Sequence, residues 1–149
     1  MAKAKFTRND IRRHLNRGAA RIEEQIIIRL RYLAEATIAV ARQTNSYMDQ
    51  TGNLRSSIGY LILKNGRVID ESFEQVKEGA EGTAAGRKHA KQVASEYPLG
   101  YVLVVVAGMH YGAILEANGV DVLSSAEMYA KSKTPEMLKK LKQSVASMR

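Results

Sequence analysis

From Thr7 to about Ser46 the chain has no proline and a single glycine, Gly18. Over the same stretch Ile11, Leu15, Ala19, Ile22, Ile26, Leu30, Leu33, Thr37 and Val40 recur at steps of three and four. Such spacing puts them on one side of an α-helix, so the stretch predicts one amphipathic helix of about 40 residues and about 60 Å. A compact domain built from 149 residues is narrower than that, so part of the helix is expected to project or to pack on a neighbour. The alternative is a break near Gly18 into two shorter helices, because glycine is a poor helix former. Thr7 or Asn9 can cap the start, and Thr7-x-x-Asp10 has nearly the form of a capping box. Arg13, Arg17 and Arg21 recur every four residues on roughly the opposite side and make a basic ridge.

The remainder divides into shorter elements. Thr51-Gly-Asn-Leu-Arg-Ser-Ser predicts a short helical turn capped by Thr51. Ile58 to Leu63 and Val68 to Val76 flank Asn65-Gly66, a strong hairpin signal. Residues 77–98 are rich in Gly, Ala, Lys and Glu without a strong apolar stripe, and are expected to form an exposed insertion, with Thr83 available to cap a helix within it. The β-branched run Gly100-Tyr-Val-Leu-Val-Val-Val-Ala-Gly108 fits a central strand buried on both faces. His110 to Asn118 predicts a short helix closed by Gly119. Ser124-Ser-Ala-Glu127 has a capping-box pattern opening another helix, and Thr134-Pro135 restarts it with Met137, Leu138, Leu141 and Val145 inward. The expected class is α+β in a single domain, residues 1–149, with a long N-terminal helix (7–46), an antiparallel sheet built from a hairpin and a central strand, and C-terminal helices.

Composition removes several kinds of chemistry. With no cysteine there is no disulfide framework, thiolate nucleophile or sulfur-based zinc site. His14, His89 and His110 fall on three different expected elements, none at metal-ligand spacing with another. Gly79-x-x-Gly82-x-x-x-Gly86 is not followed by Gly-Lys-Ser/Thr, which excludes a Walker loop and reads as a flexible segment. No Gly-x-Ser-x-Gly elbow is present. No apolar run approaches the ~20 residues of a membrane span, which points to a chain made and used in a cytoplasm or assembled there into something larger. No catalytic residue, metal or cofactor is expected, and the chain reads as no enzyme.

The net charge of +8 is unevenly spread. Residues 1–45 carry ten Lys/Arg against four Asp/Glu, residues 46–99 seven of each, and residues 100–149 six against four. One reading of the function is therefore a basic DNA-associated protein whose Arg13, Arg17 and Arg21 contact phosphates non-specifically, or meet an acidic partner. Tyr32 is the one aromatic residue within the long helix, too few for base stacking.

A second reading comes from two segments taken together, Asp49-Gln-Thr-Gly-Asn-Leu-Arg-Ser-Ser-Ile-Gly-Tyr60 and Ala107-Gly-Met-His-Tyr-Gly-Ala-Ile-Leu-Glu-Ala-Asn-Gly119. Their pattern and order resemble the tail-component family of long-tailed bacteriophages, to which the lambda-type minor tail protein Z is related in role. Members follow a long N-terminal helix with Asp-Thr-Gly-x-Leu-Arg-x-Ser-Ile and later show Tyr-Ala-x-x-Val-Glu-Phe-Gly. Asp49, Thr51, Gly52, Leu54, Arg55, Ser57 and Ile58 fall on the first motif, and Tyr111, Glu116 and Gly119 on the second. Gln50 is interposed in the first, and Ala117-Asn118 stands where Phe-Gly is usual. The Pro-Phe segment common before the final helix is replaced by Val120-Asp-Val-Leu123. The resemblance implies a structural virion protein of the phage neck or tail that completes the tail at the head–tail junction. It implies a homo-oligomeric ring, a hexamer, with the long helix and the hairpin as interfaces. Its partners would be head-closure or connector proteins and tail-terminator or tail-tube proteins, with genomic DNA passing through. Locally, Leu54 and Ile58 share a face, and Arg55 is expected to point outward toward a carboxylate such as Glu116.

Overall fold

The computed structural model describes residues 7–43 and 47–148, the side chain of Tyr111 excepted. Helix α1 (Arg8–Gln43) runs unbroken through Gly18 for 36 residues, about 54 Å at the usual rise. The expected end near Ser46 lies outside the described residues. At its start the Thr7 hydroxyl accepts from the Asp10 amide at 3.1 Å while the Asp10 carboxylate accepts from the Thr7 amide at 3.0 Å. This reciprocal pair is a capping box. The Thr7 hydroxyl bond, then its amide bond, holds the Asp10 carboxyl below the usual range.

The short helix α2 (Asn53–Ser56) leads into a hairpin, β1 (Ile58–Lys64) and β2 (Arg67–Phe73), closed by Asn65 and Gly66, both at positive φ. Two such residues make the tight turn whose twist matches antiparallel strands. The hairpin slips register between Ile62 and Leu63, where Ile69 is extra on β2. Strand β3 (Tyr101–Ala107) pairs antiparallel with β1, giving the order β2-β1-β3. The α+β class is as expected, but the centre of the sheet is β1 rather than the Tyr101–Ala107 run. Ile58 to Leu63 are all buried, whereas on β3 only Val104 and Val106 are buried and the rest are half-buried. A β-branched run reports how well a strand packs, and an edge strand covered on both faces satisfies the same pattern.

Alternation along β1 divides the core in two. Ile58, Tyr60 and Ile62 point to α1, where they meet Ala34, Ile38 and Ala41. Leu61 and Leu63 point to the other face, against Phe73, Val104, Val106 and Ala90. Ala90 belongs to α3 (Ala80–Ala94), the principal correction to the sequence expectation. Residues 77–98 are not wholly an exposed insertion. They contain a helix whose outer side is wet and whose Gly82, Gly86 and Ala90 are buried on the sheet and α2. The helix lacks an apolar stripe because its buried side is made of small residues that bring backbones together.

Helix α4 (His110–Ala117) ends at Gly119, φ +80°, with the Val120 amide bonded to the Leu115 carbonyl at 2.9 Å. Positive φ there requires little of glycine and much of any other residue. Helix α5 (Ser124–Ala146) then packs along α1. It passes through Pro135 without restarting, and Leu138, expected inward, is exposed. The expected capping box at Ser124 is absent; the amides of this end are taken by Glu116 and Asp121 instead.

The inward stripe expected along all of α1 holds only in its second half. Leu33, Ala34, Thr37, Ile38 and Ala41 are buried, but Ile11 and Leu15 are 54% and 65% exposed. The first half extends past the sheet, as its length requires. Among the described residues no helix is long and apolar enough to cross a membrane.

Candidate functional site

The residues of the first motif fold into a clamp between the end of α1 and the start of β1. Gly52 has φ +79°, and a side chain there would lie 2.1 Å from the Val76 carbonyl oxygen. No other residue fits that turn without moving the chain. Thr51 does not cap α2 as expected. Its hydroxyl accepts from the Asn53 amide at 3.3 Å, while the buried Asp49 carboxylate takes the Leu54 and Arg55 amides at 3.3 and 3.0 Å. A buried carboxylate needs such donors to offset its desolvation, and two amides at the start of a helix supply them.

Arg55 turns inward as well. Its Nε donates to the Arg42 carbonyl at 3.2 Å, its guanidinium lies 3.9 Å from Asp49, and it stacks 4.9 Å from the centre of the Tyr47 ring. It therefore ties the last turn of α1 to the motif and does not reach Glu116. Arg42 answers in the other direction, donating to the Ile58 carbonyl at 2.7 Å and pairing with Glu74 at 3.3 Å. Ser56 exchanges hydrogen bonds with Val76, and the Ser57 hydroxyl donates to the Leu54 carbonyl at 2.7 Å.

Glu116 has a separate task. One oxygen accepts from the amides of Val122, Leu123 and Ser124, and the other from the Ser124 hydroxyl at 2.7 Å. Burial pushes its carboxyl up, but the Leu123 amide, the Ser124 hydroxyl and the two remaining amides together bring it below its usual value. It caps α5 from α4 and fixes the elbow that Gly119 allows.

The two motifs do meet, through other residues. The Gly108 amide donates to the Ser57 carbonyl at 3.1 Å, and a side chain on Gly112 would come within 3.0 Å of Leu54. Tyr111 opens the second motif within α4; its side chain lies outside the described part. The residues missed from sequence are the glycines that let α3 approach. A Cβ at Gly79, Gly82 or Gly86 would stand 2.0, 2.0 and 2.5 Å from Ser56, Asn53 and Ser57 atoms. Their spacing of three and four was the available signal for a packed helical face, where a flexible segment was expected.

A polar cluster borders the α1 side of the sheet. The buried Tyr60 hydroxyl donates to Glu35 at 2.8 Å, and Arg31 pairs with Asp70 at 2.6 Å. Burial first, then the Glu35 bond, raises the Tyr60 phenol far above its usual range. His14, His89 and His110 are exposed on α1, α3 and α4. Among the described residues no group of three or more His, Asp and Glu side chains can hold a metal.

The surface carries the remaining candidates. Arg13, Arg17 and Arg21 are exposed; Arg13 pairs with Asp10 at 3.7 Å, and Arg17 and Arg21 have no ion pair among the described residues. Both sheet edges lack a pairing strand among the described residues. Beside β3 an apolar cleft of about 420 Å³ runs between α1 and α5, lined by Leu30, Leu33, Leu103, Val105, Leu123 and Met137 among others. No family model, curated protein or solved structure matches the chain.

Proposed function

We propose that this chain is a structural subunit of a long-tailed bacteriophage virion that closes or completes the tail at the head–tail junction by forming a homo-oligomeric ring, a hexamer in the reading implied by its motifs. Its role is assembly and not turnover. The observation that carries this reading is the first half of α1, which extends past the sheet with Ile11 and Leu15 exposed. A monomer gains nothing from such a stripe, and covering it on a neighbour removes apolar area from water. The sheet edges on β2 and β3, which have no pairing strand among the described residues, add surfaces of different shape, as head-to-tail contacts in a ring need.

In this reading the motif residues act from inside. Asp49, Arg55 and Gly52 lock α1 to the hairpin, so that the projecting helix and the sheet edges keep a fixed angle. Head-closure or connector proteins on one side and tail-terminator or tail-tube proteins on the other would meet the faces of the ring, with DNA in its lumen. Sedimentation velocity over a wide concentration range, with negative-stain images of the heaviest species, tests this. The expected result is a closed ring that Leu15→Glu abolishes without loss of helix content. A chain that stays monomeric at every concentration, alone and with connector and tail-tube proteins, overturns it.

A further inference from the structure

Helix α1 carries eight arginines against four acidic residues and α5 five lysines against two glutamates, a joint excess of seven within a chain of net charge +8. Arg31 and Arg42 are turned to the hairpin, paired with Asp70 and Glu74, but because α5 packs along α1 the rest of this charge includes cations from both ends of the chain that meet along one seam. Two depressions open along it. The larger, about 480 Å³, is lined by His14, Arg17, Gly18, Arg21, Ile22, Val145 and Met148. The smaller holds Arg29, Lys133 and Lys140 with one carboxylate, Glu136.

We infer that this seam binds the phosphate backbone of duplex DNA, with Arg17 and Arg21 as the principal contacts. Neither arginine has an ion pair among the described residues, so neither must break one to bind. Further along, Arg29 has one nitrogen bonded to the Ser144 hydroxyl at 3.3 Å, and its buried Nε has no hydrogen-bond partner. That covered nitrogen takes no outside anion, but the guanidinium carries no carboxylate among the described residues, so its charge adds to the seam. Cations line both depressions, Arg17 and Arg21 in one and Arg29, Lys133 and Lys140 in the other, which fits a long polyanion better than a single small one. Tyr32 and Tyr129 are the aromatic residues near the seam, too few to stack a run of unpaired bases. Duplex bound through its backbone, without sequence preference, matches this surface.

The exposed Ile11 and Leu15 lie on a different flank of α1 from the Arg17 and Arg21 pair, by the 100° turn per residue. The DNA site belongs to the single chain and goes beyond the ring reading; either can fail without the other.

Fluorescence anisotropy of a labelled random-sequence duplex tests it. With three phosphate contacts, affinity should fall about 40-fold between about 50 and 200 mM salt, and the Arg17→Gln/Arg21→Gln variant should lose only about 3- to 4-fold over that range. Lys88→Gln/Lys91→Gln removes the same charge from the exposed side of α3, away from the seam, and should keep the full salt dependence. Gly18→Glu, which sets a carboxylate in the larger depression, should weaken binding as the double variant does. The inference is overturned if the α3 variant loses as much as the seam variant, if no duplex binds at the lower salt, or if phosphatidylserine vesicles bind and the duplex does not.

Discussion

Gly18 and Gly86 both lie inside helices, and replacing each with alanine tests what the tertiary structure adds to local propensity. Alanine is favoured over glycine in a helix interior by about 1 kcal/mol. At Gly18 a Cβ meets nothing within 4 Å, so Gly18→Ala should stabilise by about that amount. At Gly86 the same Cβ would lie 2.5 Å from the Ser57 carbonyl oxygen and 2.8 Å from the Phe73 ring. The carbonyl is already held by the Gly108 amide at 3.1 Å, and the ring is packed in the core. Helix α3 must therefore back away from a fixed backbone oxygen, at the upper part of the usual overpacking cost, about 2–3 kcal/mol. Set against the propensity gain, Gly86→Ala should be destabilising by about 1–2 kcal/mol once α3 loosens from both α2 and the sheet. For a chain of this size a kcal/mol moves the melting midpoint by about 3 °C. Thermal melts followed by circular dichroism should place Gly18→Ala about 3 °C above the parent and Gly86→Ala about 3–6 °C below it. Equal or greater stability for Gly86→Ala would refute the close approach of α3 to Ser57.

Other expectations follow from the clamp and the elbow. Asp49→Ala leaves two amides and the Arg55 guanidinium without their anion and should cost about 2 kcal/mol in urea unfolding; Asp49→Asn should recover part of that. Arg55→Lys keeps the charge but loses the planar group that stacks on Tyr47 while donating to the Arg42 carbonyl. It should expose the last turn of α1 to faster amide exchange, and unchanged exchange there would argue against the tie. Glu116 has a depressed folded-state pKa, so the stability it gives is present above the ordinary carboxylate range and is lost as pH falls through the folded value. Melting midpoints of the parent and Glu116→Gln should thus differ at neutral pH and converge in acid; a constant gap would mean the carboxylate charge is not what caps α5.

The hairpin was legible because Asn65-Gly66 specifies its turn within four residues, and α1 because its period persists over about eight turns. The motif residues were legible as a pattern but not as a mechanism. Thr51 is nearer than Asp49 to the start of α2, yet the longer reach of Asp49 gives its carboxylate two amides. The sequence pairs Arg55 with Glu116 because Arg55 is expected on the outer side of its turn, whereas in the fold it turns in to the carbonyl at the end of α1 and the Tyr47 ring.

By itself the sequence determined the elements that depend on near neighbours: the capped start of α1, the turn at Asn65-Gly66 and the stop at Gly119. Only the tertiary structure decided which strand lies at the centre and which half of α1 is left uncovered. It also decided that the Gly79, Gly82 and Gly86 face packs and that the basic ends of the chain share one seam. Each of those depends on which backbones approach one another across long stretches of sequence. Gly18 and Gly86 are alike in local propensity, and the opposite responses expected of them come from what lies opposite each helix.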